Sequence, residues 1–266
     1  MSLSIENTAI GKEALGFNTT GSQNVAVGVQ SLFLNTTGSR NIAIGHAALV
    51  NNTTGDNNTT LGYNSLSKNT TGIENIAIGK GALYSNTTAY YNVGVGVDAL
   101  YKNTTGSNNV AVGDGTSYNN VTGSNNTAVG NQALESNTTS NNTGVGFQSL
   151  KSNTSGLDNA ALGSQALSLN TIGNYNTGIG AYSLRNNTTG ANNTAIGQAS
   201  LFSTTIGPNN VAIGVNSLRD NIEGSSKDDI VYGYDGNDAI HGLGGADQID
   251  AGAGNDLVFI KAASLT

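Results

Sequence analysis

The segment Asn109-Val-Ala-Val-Gly113, followed by Asn120-Val-Thr-Gly123, is the unit that decides the fold of this chain. The Asn that opens it recurs thirteen times at a spacing of seventeen residues, with a single step of sixteen. These residues are Asn7, Asn24, Asn41, Asn58, Asn75, Asn92, Asn109, Asn126, Asn142, Asn159, Asn176, Asn193 and Asn210. A short period kept over so many copies is typical of a solenoid, in which each repeat is a coil that is stable only when stacked on its neighbours.

The composition argues against an ordinary globule, with 37 Gly, 10% charged residues and neither Cys nor Trp. Chains of this kind can be disordered, but a disordered chain has no reason to keep Val, Ile or Leu at a strict period. Asn, Thr, Gly and Val are poor helix formers, and no helical periodicity is present. The sequence therefore predicts an all-β, parallel β-solenoid (β-roll) of about thirteen 17-residue coils.

Charge and composition also exclude several functional classes. A formal net charge of −7 without a basic patch disfavours nucleic acid as a partner. No segment approaches the roughly 20 apolar residues of a membrane-spanning helix, and no signal peptide is visible before the first repeat. His46 and His241 stand alone without a recognisable nucleophile. We therefore expect no catalytic residues, and the protein is predicted not to be an enzyme.

Two apolar rows predict the core of each coil. The fourth position of each Asn-x-x-x-Gly segment is aliphatic, as in Ile44, and is predicted to be buried. The third position is small, as in Ala43, and is predicted to line the outside as a candidate subunit contact, unless it merely tolerates exposure. A Leu row after the Gly, as in Leu49, predicts a second strand facing the first. Ser117 replaces this Leu in the seventh unit and predicts a local core defect.

The recurrent Asn-Thr-Thr-Gly sequence, as at Asn18 to Gly21, predicts the turn of each coil. The one missing residue falls in this turn at Asn137 to Ser140, where a deletion leaves strand register intact. Equivalent Asn residues of stacked coils lie about 4.8 Å apart and predict hydrogen-bonded ladders. Tyr63, Tyr84 and Tyr101 are either a sugar-stacking surface or scattered exposed residues, and the second reading is favoured.

The repeats carry a family resemblance over about residues 7–224. Asn24-Val-Ala-Val-Gly28 and Asn41-Ile-Ala-Ile-Gly45 resemble the head repeats of trimeric autotransporter adhesins, which form β-rolls and trimerise. The longer unit resembles repeats of bacterial and phage proteins of the tail-fibre type. The resemblance implies self-association as a homotrimer and a cell-surface or glycan receptor. Independently of it, the uncapped first coil predicts end-to-end stacking and the small-residue row predicts lateral packing, each of which would give a filament.

From Gly224 onward the period changes from seventeen to nine, and four copies follow without a gap. Each copy ends its loop on an Asp and carries an aliphatic residue two positions later; these residues are Asp229, Asp238, Asp247 and Asp256. The block, about residues 224–259, resembles the Gly-Gly-x-Gly-x-Asp-x-aliphatic-x calcium nonapeptides of the repeats-in-toxin family. The resemblance implies Ca²⁺ as the cofactor and the four Asp residues as its ligands.

The residue types suit that chemistry, since Ca²⁺ takes six to eight oxygen ligands and Gly-rich loops expose backbone carbonyls. Two nonapeptides make one eighteen-residue coil, so loops two units apart should stack. Asp229 is then paired with Asp247, and Asp238 with Asp256. The alternative, in which these residues only cap Asp-Gly turns, does not explain four copies in register.

The chain is thus predicted to consist of a 17-residue-repeat solenoid (1–223) that continues into a calcium-binding nonapeptide β-roll with a C-terminal tail (224–266). The predicted function is an extracellular structural or adhesive fibre, a surface adhesin or filament subunit stabilised by Ca²⁺. A phage tail fibre with a receptor-binding role, located on a virion, is one alternative. An ice-binding protein that uses Thr ladders such as Thr19, Thr36 and Thr53 is another.

Overall fold

A computed structural model describes residues 6–203, 207–219, 222–223, 230–232, 239–241 and 248–259. Every regular element within these ranges is a short β-strand. The same ranges hold no helix of the length and apolarity that crossing a membrane requires. The all-β class predicted from composition and periodicity is confirmed.

Thirteen three-residue strands form one parallel sheet in sequence order. They are β1 (Thr8–Ile10), β2 (Val25–Val27), β3 (Ile42–Ile44), β4 (Thr59–Leu61), β5 (Ile76–Ile78), β6 (Val93–Val95), β7 (Val110–Val112), β8 (Thr127–Val129), β9 (Thr143–Val145), β10 (Ala160–Leu162), β11 (Thr177–Ile179), β12 (Thr194–Ile196) and β13 (Val211–Ile213). Each residue pairs with its equivalent in the next coil, as Ile44 does with Leu61. The coils therefore stack along one axis into a rod about 60 Å long, at about 4.8 Å per coil.

Five further strands follow the rod. They are β14 (Ile222–Glu223), β15 (Ile230–Tyr232), β16 (Ala239–His241), β17 (Gln248–Asp250) and β18 (Leu257–Phe259). β14, β16 and β18 form one parallel sheet, and β15 and β17 form another. Among the described strands, no ladder joins β13 to either sheet. Unbroken continuation of the solenoid through this junction, and the boundary at 223, remain predictions.

The strands of the rod face the opposite way from our prediction. The small middle residue is buried, as Ala43 is at 0% exposure, whereas the flanking Ile42 and Ile44 are 39% and 36% exposed. The reason is the narrow interior: a Cβ added to Gly94 would lie 3.3 Å from Cγ of Leu83 in the preceding coil. Only Ala, Gly or a similarly small residue fits there. The prediction of a buried aliphatic row and an outer small-residue contact surface was wrong.

The large side chains of the core are the predicted Leu row. Ten Leu residues are fully buried: Leu32, Leu49, Leu66, Leu83, Leu100, Leu134, Leu150, Leu167, Leu184 and Leu201. They do not lie on a second strand, because this segment is a turn in which Leu66, for example, has a φ of 50°. The Leu66 amide still donates to the Ala82 carbonyl of the next coil at 2.9 Å. The buried Leu row is confirmed, and the second strand is corrected to a left-handed turn.

The Asn residues that open the strands form the first predicted ladder. Asn75 is fully buried, and its Nδ2 donates to the Ala89 carbonyl at 2.9 Å and to Asn58 Oδ1 at 3.1 Å. Its Oδ1 accepts a hydrogen bond from the Asn92 amide at 3.1 Å. One side chain thus satisfies a turn carbonyl within its own coil and links the coils on both sides.

The Asn residues of the turns form a second ladder. Asn52 Nδ2 donates to Asn35 Oδ1 of the preceding coil and to the Gly55 carbonyl of its own turn, both at 2.9 Å. A Cβ at Gly55 would overlap the Gly72 carbonyl oxygen of the next coil. Gly at this turn position is therefore favoured by the close stacking of coils rather than by a left-handed backbone, although Ala89 occupies the equivalent position in coil five.

The sixteen-residue step is absorbed in the turn, as predicted. Thr127 still pairs with Thr143 across it, so the sheet keeps its register. Asn126 Nδ2 donates to the Thr139 carbonyl at 2.7 Å in place of the usual Gly carbonyl. Asn142 Nδ2 donates to Asn137 Oδ1 at 3.1 Å, which connects the two ladders at this coil.

The core is interrupted at Ser117, as its sequence position predicted. Ser117 is 1% exposed, and its Oγ has no hydrogen-bond partner among the described atoms. The buried apolar residues of the rod fall into two clusters, one ending at Ala111 and the other beginning at Ala128. A buried hydroxyl without a partner costs stability, so this coil is a weak point in the stack.

We predict that Ser117→Leu stabilises the rod by roughly 1–3 kcal/mol, because it adds buried apolar area and removes the unpaired hydroxyl. The measurement is the urea-unfolding midpoint at constant m-value. Ser155→Leu, at an exposed turn position, is the control and should leave the midpoint nearly unchanged. An unchanged or lower midpoint for Ser117→Leu would contradict the prediction.

We also predict that Asn75→Ala destabilises the rod by roughly 1–3 kcal/mol, because it leaves the buried Asn92 amide without its partner and the Ala89 carbonyl with only the 3.2 Å bond from Asn86 Nδ2. The same urea titration measures the loss. Asn131→Ala is the matched control, since Asn131 is exposed and its side chain makes a single exposed bond to Asp114. Equal effects of the two substitutions would show that the ladder carries no special stability.

Candidate calcium-binding region

The strands after residue 221 repeat at a new spacing. Ala239 pairs with Leu257 in the β16–β18 ladder, and Ile230 pairs with Gln248 in the β15–β17 ladder. Both pairs are eighteen residues apart, so the coil is two nonapeptides long, as predicted. Alternate nonapeptides therefore belong to different sheets.

The interior of this region follows the nonapeptide pattern. Ile240, the aliphatic residue two positions after Asp238 in sequence, is 0% exposed. It pairs with Val258 of β18 and with Ile222 of β14. Of this row of aliphatic positions, Ile240 is buried and Val258 is 38% exposed, so the described residues show a buried aliphatic position in β16 and an exposed one in β18.

Three of the four predicted ligands, Asp229, Asp238 and Asp247, lie outside the described residues. Asp256 is described, is half-buried and directly precedes β18. Asp238 precedes Ala239 in sequence as Asp256 precedes Leu257, and the two following residues are partners across the ladder. The pairing of Asp238 with Asp256, like that of Asp229 with Asp247, stays a prediction.

The described connection between β17 and β18 is a Gly-rich turn beside Asp250 and Asp256, although among the described residues no three acidic or His side chains lie close enough to hold a metal ion. Gly252 and Gly254 have φ values of 85° and 152°, which residues with side chains rarely adopt. The Gly252 amide donates to Asp250 Oδ1 at 3.2 Å. Tight Gly turns that free backbone carbonyls beside carboxylates provide oxygen ligands for Ca²⁺, so the donor set fits this ion.

The net negative charge of the protein lies at this end of the chain. Residues 1–219 hold eight acidic and eight basic residues, whereas residues 220–266 hold nine acidic and two basic ones, which gives 2 − 9 = −7. The rod is therefore neutral. Like charges crowded into about two coils repel one another, and a bound divalent cation removes that repulsion.

Residues 216–249 and 223–258 match the RTX calcium-binding nonapeptide repeat, a model of four copies. The C-terminal block is an RTX calcium-binding region. RTX nonapeptide repeats bind Ca²⁺, which confirms the predicted cofactor, and they are typical of secreted proteins. No curated protein matches the chain. The resemblance of the 17-residue repeats to adhesin heads and tail fibres gains no support from this match and stays a prediction.

The rod carries one groove, of about 250 Å³, that sequence reasoning did not assemble. It is lined by Tyr63, Asn64, Lys80, Gly81, Tyr84, Asp98, Tyr101 and Tyr118. The rings of Tyr84, Tyr101 and Tyr118 stack along the rod axis, with centroids 4.9 and 5.2 Å apart. These Tyr residues are thus an ordered ladder rather than scattered. The faces of Tyr101 are covered by its neighbours, so this ring presents its edge, and not a sugar-stacking face, to a ligand.

The groove is also electrostatically distinct. Partial burial raises the pKa of the Tyr101 hydroxyl, and its neighbours Tyr84, Tyr118 and Asp98 raise the pKa further. The hydroxyl is therefore a neutral donor at physiological pH. Beside it, Gly81 leaves room for the Asp98 carboxylate, which a Cβ at that position would displace. A carboxylate and a phenol edge at one groove suit a polar ligand that donates hydrogen bonds.

We predict that Asp238→Ala combined with Asp256→Ala lowers the Ca²⁺ affinity of the full chain at least tenfold or removes a bound ion, because the pair supplies charged ligands. Isothermal titration with CaCl₂ measures both the affinity and the stoichiometry. Asp158→Ala, which removes an exposed carboxylate of the rod, is the control and should bind Ca²⁺ normally. Unchanged binding by the double variant would reject the pairing.

Proposed function

We propose that this protein is a secreted structural or adhesive rod, a surface adhesin or filament subunit, whose C-terminal coils are rigidified by Ca²⁺ outside the cell. One observation carries the proposal: a thirteen-coil solenoid and an RTX calcium-binding region are joined in one chain. The solenoid provides the length and the surface of the rod. The RTX region makes the stability of the C-terminal coils depend on Ca²⁺.

The chemistry of the rod supports a structural rather than an enzymatic role, and we propose that the protein is not an enzyme. Its recurrent polar side chains are occupied by bonds between coils. Asn41 Nδ2, for example, donates to the Gly55 carbonyl at 2.8 Å, while Asn41 Oδ1 accepts from the Asn58 amide at 2.9 Å. Such side chains hold the coils in register and are not free to bind or activate a substrate.

The distribution of charge supports the role of Ca²⁺. The whole net charge of −7 lies in residues 220–266. Extracellular calcium modules typically bind at about 10⁻⁴–10⁻³ M, and ligand binding that requires the folded state stabilises it. In the low-calcium interior of a cell this region would stay loose, and on export it would fold. Export led by the C-terminal end is part of the proposal.

An adhesive role requires a surface for a receptor, and the groove bounded by Tyr63, Tyr84 and Tyr101 supplies a polar one. We propose a cell-surface or glycan receptor that meets ring edges and the Asp98 carboxylate. Ice binding by Thr ladders is less well supported. The hydroxyl of the first Thr of the turn is already used in most coils, as Thr53 Oγ1 donates to the Thr70 carbonyl at 3.0 Å.

The proposal predicts that native protein is found outside the producing cell. Immunogold electron microscopy, together with fractionation of cells and medium, locates it. Chelation of Ca²⁺ should make the C-terminal region protease-sensitive while the rod stays resistant, because the ion stabilises only that region. The Asp238→Ala plus Asp256→Ala variant should be sensitive even with Ca²⁺, and Asp158→Ala should not. Label on virions would favour the tail fibre, and cytosolic protein would overturn the proposal.

A further inference from the structure

The outer side of the thirteen-stranded sheet is an uncharged surface made mostly of aliphatic side chains, with Thr at the first position of six strands. We name it the aliphatic face, and it consists of the first and third residues of each of the strands β1 to β13. The third residue is Ile, Val or Leu in every strand, and the first is Val, Ile, Thr or Ala. Its third-position residues remain open to solvent, as Leu61 at 48%, Leu162 at 41% and Ile179 at 39% exposure show.

The aliphatic face is as large as the largest apolar patches of ordinary soluble monomers. Thirteen strands at about 4.8 Å spacing, each about 10–12 Å wide with its side chains, cover roughly 600–700 Å². The largest patch on a typical monomer is about 300–600 Å², and larger patches mark interaction sites. Two such faces in contact would bury roughly 1,200–1,400 Å², which lies within the range of specific, stable interfaces.

A second copy of this chain has the matching surface. Because every strand pairs in register, the outer side chains stand in two straight rows that repeat once per coil. A partner whose side chains fit between these rows over the whole length of the rod must have the same repeat along its axis. The aliphatic face of a second copy has that repeat. Two β-sheets that pack face to face lie about 10 Å apart. We propose that two copies associate face to face through the aliphatic face.

The distribution of charge does not oppose this contact and sets its direction. Residues 1–219 hold eight acidic and eight basic residues, so two rods approach without net repulsion. Residues 220–266 carry −7 at the same end of each rod. While no Ca²⁺ is bound, a parallel pair would place two acidic ends together, whereas an antiparallel pair separates them by about the rod length. We therefore assign the antiparallel arrangement, in which coil seven faces coil seven.

This inference goes beyond the calcium-dependent role, because the interface lies in the 17-residue coils and needs no ion. The test is sedimentation velocity of the full chain in Ca²⁺ over a range of concentrations. Val112, at 37% exposure, lies on the aliphatic face of coil seven. Val112→Lys places two ammonium groups near the two-fold axis and should weaken the dimer at least tenfold.

The same coil offers a matched control. Val121 is 39% exposed but lies in the turn, away from the aliphatic face. Val121→Lys should dimerise like the unmodified chain, and circular dichroism should show both variants folded. A monomer at all concentrations, a trimer, or equal dimerisation of Val112→Lys and Val121→Lys would overturn the proposal. These outcomes do not depend on where the protein is found or on its Ca²⁺ affinity.

The orientation of the two copies can be tested separately. Because the chain contains no Cys, a spin label attaches only to a Cys that is introduced. Val29 of coil two and Gln198 of coil twelve occupy equivalent exposed positions after the strand glycine. With Ca²⁺ chelated, so that residues 220–266 keep their net charge of −7, spin labels on Val29→Cys in one copy and Gln198→Cys in the other should give a short distance in the antiparallel dimer. Two Val29→Cys copies should give a long one. The reverse result would overturn the antiparallel assignment.

Discussion

The structure of the rod depends on the need to satisfy buried backbone groups in coils that contain three strand residues each. So short a strand offers few ladder bonds, and most of each coil is turn. The two Asn ladders provide the remaining partners: Asn24 Nδ2 donates to the Gly38 carbonyl at 2.9 Å, and Asn24 Oδ1 accepts from the Asn41 amide at 2.9 Å. Because each amide serves its own coil and the next, a coil has its full set of bonds only within the stack.

The same stacking fixes which side chains lie inside. A coil of seventeen residues encloses a narrow interior that one Leu fills, with room beside it for Ala, Gly or Thr only. The β-branched residues of the strands are thereby placed outside. A rod built in this way acquires an apolar exterior as a consequence of its thin core, and the apolar exterior is what makes association with a like surface favourable.

The two parts of the chain stabilise their turns by different chemistry. In the rod, neutral amides join successive turns, and the charges of residues 1–219 balance. The RTX region instead binds Ca²⁺, and its sequence is rich in the carboxylates that suit this ion. Stability at the C-terminal end therefore depends on the surroundings of the protein, whereas stability of the rod is built into its sequence.

The sequence by itself determined every feature that depends on chain spacing. The period of seventeen, the ladders, the deletion at Asn137 to Ser140, the defect at Ser117 and the change to eighteen-residue coils follow from counting residues, because parallel stacking in register converts sequence spacing directly into contacts. The RTX region could be predicted from the sequence for the same reason, since its Gly and Asp residues recur at fixed positions.

Only the tertiary structure decided which face of the strands is buried. In a segment such as Ile42-Ala-Ile44 the side chains alternate between the two faces of the strand, so either the two Ile or the Ala could face the core. The usual preference for burying large apolar residues predicts that the Ile side chains face inward, which is wrong here. The width of the coil decides, and that width depends on the left-handed Leu turns, as at Leu49 with a φ of 52°. No local sequence preference predicts that backbone for Leu. It is adopted because the buried Leu side chain and the bonds to neighbouring coils outweigh its local cost.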